Sequence, residues 1–307
     1  MTLTARENPG LIRSWLAFTR PKTWLIAVSP VIASLALAWS ETRAFEPLTA
    51  LFTISIAILM QAISNMENDL GYAERNAERG NRRGLPRATT MGWISLPTAR
   101  IAIRIGALLA LINTAVLIWI GGWIFLLIGL ASLVAAYSYM GGPKPIAYTP
   151  FGELVVLVFF GLTAVCGTYF LQTGNISINA CLLGLALGSV ASGVLAVNNF
   201  RDHAHDASIG RNTLAVVIGK PGFLQLFRLL MLVPYGSLVI MAVNSNSLWP
   251  VLIAFATLPL AISIAKNLAL KEHEELNEVM FGCVKLEGIF SMLFAAGCIL
   301  SVFIENL

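Results

Sequence analysis

The chain has 307 residues, of which 57% are hydrophobic and 12% charged, with a formal net charge of +4 and a mean hydropathy of +0.78. A soluble domain carries about a quarter charged residues, so this composition excludes an ordinary soluble enzyme and points to a chain dissolved in lipid. No base-reading motif accompanies the positive charge, so no nucleic-acid partner is expected.

Crossing hydrocarbon takes about 20 mostly apolar residues as a helix, because every backbone N–H and C=O must be satisfied within the segment. Residues 1–22 come before any such run. Leu11, Ile12, Trp15, Leu16 and Phe18 suggest a short helix on the membrane surface, and no small-residue cleavage site follows them, so a removable signal peptide is not expected. Nine runs then read as spans: 23–40, 47–68, 99–119, 123–140, 152–171, 178–200, 222–243, 247–268 and 288–304. Residues 72–98 and 201–221 read as polar loops between them. The expected fold is all-α: one polytopic membrane domain over 1–307, a bundle of about nine transmembrane helices.

With the N-terminus inside, every Lys and Arg except Arg43 falls on inner segments or inner helix ends. Positive residues are retained on the cytoplasmic side, so the chain is expected in a bacterial inner (plasma) membrane with its N-terminus and the loops 72–98 and 201–221 cytoplasmic. Cys166, Cys181, Cys283 and Cys298 are dispersed, form no CxxC, and read as small hydrophobes with no metal or disulfide assigned. The stretch "LAVVIGKP" at 214–221 lacks the residues of a phosphate-binding loop, which disfavours an ATP-driven pump.

Only three aspartates occur, Asp69, Asp202 and Asp206, all at inner ends of spans. Asn65-x-x-x-Asp69 is echoed by Asn198-x-x-x-Asp202, a spacing that sets amide and carboxylate one helical turn apart on one face. Carboxylates at a bilayer edge hold Mg²⁺ by one or two oxygens while water and substrate phosphates fill the remaining positions, so a diphosphate fits between two such helices. Arg201, Arg211, Lys144 and the basic loop after residue 74 are candidates to neutralise it. The bland alternative is that these residues cap helix ends and set topology. An acidic pair at a helix C-terminus opposes the helix dipole, which argues for a further role at Asp202 and Asp206.

"NNFRDHAHDASIGRNTLAV" at 198–216 resembles the second aspartate-rich motif of the UbiA superfamily of membrane prenyltransferases. Within it, the chain is most similar to the 1,4-dihydroxy-2-naphthoate polyprenyltransferases of menaquinone biosynthesis. "RPKTW" at 20–24, "SNMENDLGYAERN" at 64–76 and "GGPKPIAYTPFGELVVLVFFGLTAVCGTYFLQTG" at 141–174 resemble that family in matching order. The resemblance implies nine helices with both motifs on the cytoplasmic side. It also implies a reaction: an allylic polyprenyl diphosphate loses diphosphate with help from Mg²⁺, and its cation alkylates 1,4-dihydroxy-2-naphthoate, which loses carbon dioxide to give the demethylmenaquinone skeleton. Asp69, Asp202 and Asp206 are the expected catalytic acids, holding Mg²⁺ together with Asn68. Asn65, Asn68, Lys144, Tyr148, Asn198, Arg201 and Arg211 are the expected substrate contacts, and Phe159, Phe160 or Tyr169 could face the allylic cation.

The family's first motif usually reads N-D-x-x-D, whereas here Asn68-Asp69 is followed by Tyr72 where the second acid is expected. Glu67, Glu74 or Glu78 could compensate, or Asn68 could offer its carbonyl oxygen. The loop "RNAERGNRRGLPRATTMG" reads either as a solvated topology signal or as a lid whose Arg82, Arg83 or Arg87 closes over diphosphate. His203 and His205 point off the aspartate face, and Glu272, Glu274, Glu275 and Glu278 read as a solvated loop. Three rivals remain: a UbiA-type enzyme with another aromatic acceptor, a catalytically inert homologue, and a secondary transporter. The last would place ionisable groups at mid-membrane, which these spans do not.

Overall fold

The computed structural model describes residues 9–77, 85–245 and 248–305. Glu78, Arg82 and Arg83, named above as candidates, lie outside the described residues. The first helix is α1 (Leu11–Thr19), an amphipathic helix of about two and a half turns that exposes Leu11, Ile12 and Leu16 and buries Phe18 completely. Arg20 ends it in the left-handed region, and a tight turn over Pro21–Thr23 leads into α2 (Leu25–Thr42). Then follow α3 (Pro47–Glu74), α4 (Leu96–Gly121) and α5 (Ile124–Met140). The next span is one continuous helical stretch: α6 (Gly152–Val156), a π segment (Leu157–Thr163) and α7 (Ala164–Thr173). After it come α8 (Ile178–Ser208), α9 (Leu214–Asn244), a 3₁₀ stretch (Trp249–Thr257) continuous with α10 (Leu258–Leu270), and α11 (Leu276–Glu305).

Eight of these stretches are long and apolar enough to cross a membrane, and α5 adds a shorter apolar ninth, matching the nine runs read from the sequence one for one. The protein is an all-α integral membrane protein. Helices outrun the apolar runs at one end of the bundle: α3 continues to Glu74, α8 to Ser208, and α11 begins at Leu276 rather than 288. Much of the expected 201–221 loop is therefore helix. Its remaining turn, 209–213, is followed by a break inside α9 where Gly219 takes φ 69° ahead of Pro221.

Side chains pack in two main groups. The larger joins α2 with α7 through α11 around Leu187, Phe227, Phe290 and Phe294; the smaller joins α1, α3, α4 and α5 around Phe18, Ile63, Ala99 and Ile103. Lipid tails are as apolar as leucine, so close approach rather than the hydrophobic effect decides such contacts. Gly184 and Gly188, spaced as small-xxx-small on α8, receive Gly161 of the π segment. A Cβ on Gly188 would lie 2.6 Å from the Leu157 carbonyl oxygen and 3.0 Å from the Gly161 Cα, so only glycine permits this crossing. Between the two groups lies a cavity of about 810 Å³, lined by α1 to α8 and by Met280 and Phe281 of α11.

Candidate active site

The extended ends of α3 and α8 bring the polar motifs to one end of the cavity. A cleft of about 40 Å³ is lined there by Arg20, Asn68, Tyr72, Arg87, Tyr139, Leu195, Asn198, Asn199, Asp202 and Arg211. Arg20, Asn68, Tyr139, Leu195 and Asn198 line the large apolar cavity as well, so the cleft is the polar head of a mostly hydrocarbon-walled chamber. Asn65 lies on the chamber wall one turn deeper.

Two cations of the cleft, Arg87 and Arg211, are built in rather than dangling. Arg211 donates through Nε to the Ala147 carbonyl at 3.0 Å and through Nη1 to Asp206 Oδ1 at 2.9 Å, and it also bonds the Tyr72 hydroxyl. Burial alone would lower its pKa, but Tyr72 and Asp206 beside it hold it above the ordinary arginine value, so it stays charged. Arg87 sits over Tyr72, its guanidinium carbon 3.4 Å from the ring centroid, a cation–π contact. Its Nη1 also reaches 3.4 Å from the Asn68 Oδ1. Arg201 forks onto both oxygens of the adjacent Asp202 at 2.9 Å and reaches Asn277 Oδ1 at 2.6 Å, which fixes how Asp202 faces the cleft.

Asp69 goes elsewhere. Its carboxylate is fully buried and accepts from Ala88 N–H and Thr89 N–H, each at 2.9 Å, and from the Thr89 hydroxyl at 2.5 Å. It lines neither cavity; it clamps the 85–91 segment to α3 and so delivers Arg87 to the cleft. The face that α3 turns to the chamber is Asn65–Asn68–Tyr72, one residue out of step with the Asn65/Asp69 pairing read from the sequence.

The other expected residues sort the same way. Asp206 and Arg201 stand behind Arg211 and Asp202, and Tyr148 packs its ring 5.5 Å from the Arg211 guanidinium without lining the cleft. Lys144 is exposed and lines neither cavity. Glu74 pairs with Arg100 at 2.7 Å, and Glu67 lines neither cavity, so neither fills the place of the missing acid. Phe159 and Phe160, both in the π segment, line the chamber. Tyr169 instead donates to Glu41 Oε2 at 2.6 Å at the opposite end of α7. His205 meets the Ala77 carbonyl at 2.9 Å, off the cleft. Glu272, Glu274, Glu275 and Glu278 are exposed. Sequence reasoning missed Arg20, which counted only as a topology charge, and Asn199, whose amide donates to buried Glu153 at 2.8 Å. The signal for Arg20 was its place in "RPKTW".

Among the described residues, no three of His, Cys, Asp and Glu gather into a closed metal cage. Asp202, Asn68 and Asn198 instead offer a half-set of oxygens, which suits a hard cation that takes few protein ligands and completes its shell with phosphate and water.

A profile of the UbiA prenyltransferase family matches residues 27–296. The chain belongs to the UbiA prenyltransferase family. It is a prenyltransferase. Among its relatives, the 1,4-dihydroxy-2-naphthoate octaprenyltransferase of Escherichia coli K12 is 32% identical over 304 residues, covering 94% of this chain and 96% of that protein. The enzyme of the same name from Bacillus subtilis is 26% identical, covering 98% and 96%. A solved UbiA homologue from Archaeoglobus fulgidus, bound to GPP and Mg²⁺, superposes with a TM-score of 0.70 at 18% identity, covering 94% of this UbiA family chain and 99% of that one. That last likeness speaks to the fold.

Proposed function

We propose that this protein transfers a polyprenyl group from its allylic diphosphate to 1,4-dihydroxy-2-naphthoate with loss of carbon dioxide, the prenylation step of menaquinone biosynthesis. One observation carries the reading: three guanidinium groups, Arg20, Arg87 and Arg211, stand with Asp202 and Asn68 at the head of an 810 Å³ hydrocarbon-walled chamber. Only a ligand with a compact multianionic head and a long apolar tail complements both parts. The relatives at 32% and 26% identity that carry the naphthoate name support the acceptor.

The guanidinium groups bind and orient the diphosphate by charge-assisted hydrogen bonds, and they stabilise the negative charge that grows on it as the allylic C–O bond breaks. Asp202, Asn68 and Asn198 are the residues that would hold Mg²⁺ against it. When bound, the ion supplies Lewis-acid stabilisation of the leaving diphosphate. Phe159 and Phe160 line the chamber, and their rings are the groups that would stabilise the allylic cation there, shielded from water. C2 of the naphthoate attacks that cation; the electron pair of its bond to the carboxylate then restores the aromatic ring as carbon dioxide departs. The product leaves at the hydroquinone level, and no ring proton has to be removed. Asp69 serves this site as a clamp on the Arg87 segment, not as a metal ligand. The basic end of the bundle faces the cytoplasm of a bacterial inner membrane, as the distribution of Lys and Arg supports.

The test is direct. Membranes containing the protein, given Mg²⁺, octaprenyl diphosphate and 1,4-dihydroxy-2-naphthoate, should release carbon dioxide and form the prenylated product, and Asp202→Asn should abolish it. Turnover of 4-hydroxybenzoate but not the naphthoate would move the acceptor and keep the reaction class.

A further inference from the structure

Gln61 lies on α3, lines the large chamber, and is 7% exposed. Its Nε2 donates to Thr23 Oγ1 at 3.0 Å, while its Oε1 has no hydrogen-bond partner among the described residues. The amide cannot simply be turned over. The Thr23 hydroxyl spends its one proton on the Arg20 carbonyl at 2.9 Å, so Oγ1 can only accept, and it accepts from Gln61 Nε2 and Asn65 Nδ2, both at 3.0 Å. A flipped Gln61 would set two bare acceptors against each other. Asn65 is locked by the same logic: Nδ2 has two protons, one given to Thr23 Oγ1 and the other to the Thr19 carbonyl at 3.0 Å. What Gln61 and Asn65 have left to offer the chamber is therefore two carbonyl oxygens, one helical turn apart, with the second N–H of Gln61 Nε2 beside them, where the walls are otherwise mostly apolar.

A buried carbonyl held without a donor is a standing cost that a ligand O–H or N–H would relieve. Of the two substrates, the isoprenoid diphosphate brings no donor to the apolar chamber, because its tail is hydrocarbon. The aromatic acceptor brings hydroxyls. Gln61 is seven residues deeper than Asn68, about 10 Å along the helix, so a ring seated beside the diphosphate cleft reaches it. Side chains one turn apart stand about 5–6 Å from each other, close to the separation of two hydroxyl oxygens on opposite corners of one ring.

We infer that Gln61, held in one orientation by the Thr23 hydroxyl, is a binding residue for a phenolic hydroxyl of the aromatic acceptor, with Asn65 as its neighbour for the second. This rests on the proposed naphthoate-prenylating function and assigns its acceptor subsite. Thr23 is then a positioning residue, and the turn Pro21–Thr23 explains why the "RPKTW" motif abuts α3.

The experiment measures steady-state kinetics of wild type, Gln61→Met and Thr23→Val in membranes, with octaprenyl diphosphate and 1,4-dihydroxy-2-naphthoate varied in turn. Both variants should raise KM for the naphthoate about tenfold, the worth of one lost hydrogen bond, with KM for the diphosphate unchanged. As a competitive inhibitor, 1-hydroxy-2-naphthoate, which has a single hydroxyl, should lose less affinity in the variants than the dihydroxy substrate does. Thr23→Val decides the matter if Gln61→Met fails to accumulate. Unchanged naphthoate KM in variants of an active wild type would show a carbonyl satisfied by water alone and overturn this inference while leaving the function intact; equal rises for both substrates would also overturn it. A wild type inert on the naphthoate would instead overturn the functional reading and, with it, the assignment.

Discussion

Replacing Asp69 separates two roles that its place in the motif would confuse. In Asp69→Ala, the N–H groups of Ala88 and Thr89 lose a buried charged acceptor, while the Thr89 hydroxyl keeps the Asp69 main-chain oxygen at 3.1 Å. Two orphaned N–H groups at about 1–3 kcal/mol each set the loss at about 2–6 kcal/mol. Asp69→Asn retains one acceptor oxygen and turns an NH₂ toward the other N–H, so about half that loss is expected. Thermal unfolding in detergent should rank wild type above Asn above Ala, and amide hydrogen exchange should rise first at Ala88 and Thr89. Activity should fall with the loosening of the Arg87 segment, yet the Mg²⁺ concentration for half-maximal rate should stay near that of wild type in Asp69→Asn. An Asp69→Asn protein with wild-type stability and protected amides, but a sharply higher Mg²⁺ requirement, would refute the clamp and make Asp69 a metal ligand.

Tyr72→Phe removes the hydroxyl that bonds Arg211 but keeps the ring under Arg87, so KM for the prenyl diphosphate should rise about 10- to 100-fold, as one hydrogen bond to a charged group is worth. Gly188→Val forces side-chain atoms against the Leu157 carbonyl and Gly161; folded yield in detergent should drop, with a stability cost of about 1–3 kcal/mol or more. Arg100→Ala removes an ion pair whose side chains are 49% and 39% exposed, and both melting temperature and activity should move by no more than about 1 kcal/mol equivalent.

The nine spans were legible because hydrocarbon imposes length and apolarity on each, and both aspartate motifs were legible because acids are so scarce here. Helix ends were not. Apolarity stops at the edge of the bilayer, but backbone hydrogen bonding does not, so α3 and α8 carry on through Glu74 and Ser208 and hold the motifs on rigid helix rather than loop. The register of α3 was lost for a related reason. Residues 68 and 69 both lie near the chamber face, and only the arrival of Ala88 and Thr89 from a distant segment decides that Asp69 turns aside and Asn68 turns in. Gln61 was invisible to sequence reasoning because a glutamine in an apolar run looks like a tolerated polar residue until the hydroxyl that orients it is seen.

The π segment at Leu157–Thr163 holds one residue more than an α-helix of the same rise would need. Deleting a single residue there would restore ordinary winding and swing everything beyond it, from Ala164 to Thr173, by about 100° relative to what precedes. Ala164, Gly167 and Thr168 would leave the chamber wall, and side chains now turned to lipid or to α8 would take their places. A one-codon change could thus give the hydrocarbon tail a differently shaped bed without touching any residue that meets the diphosphate.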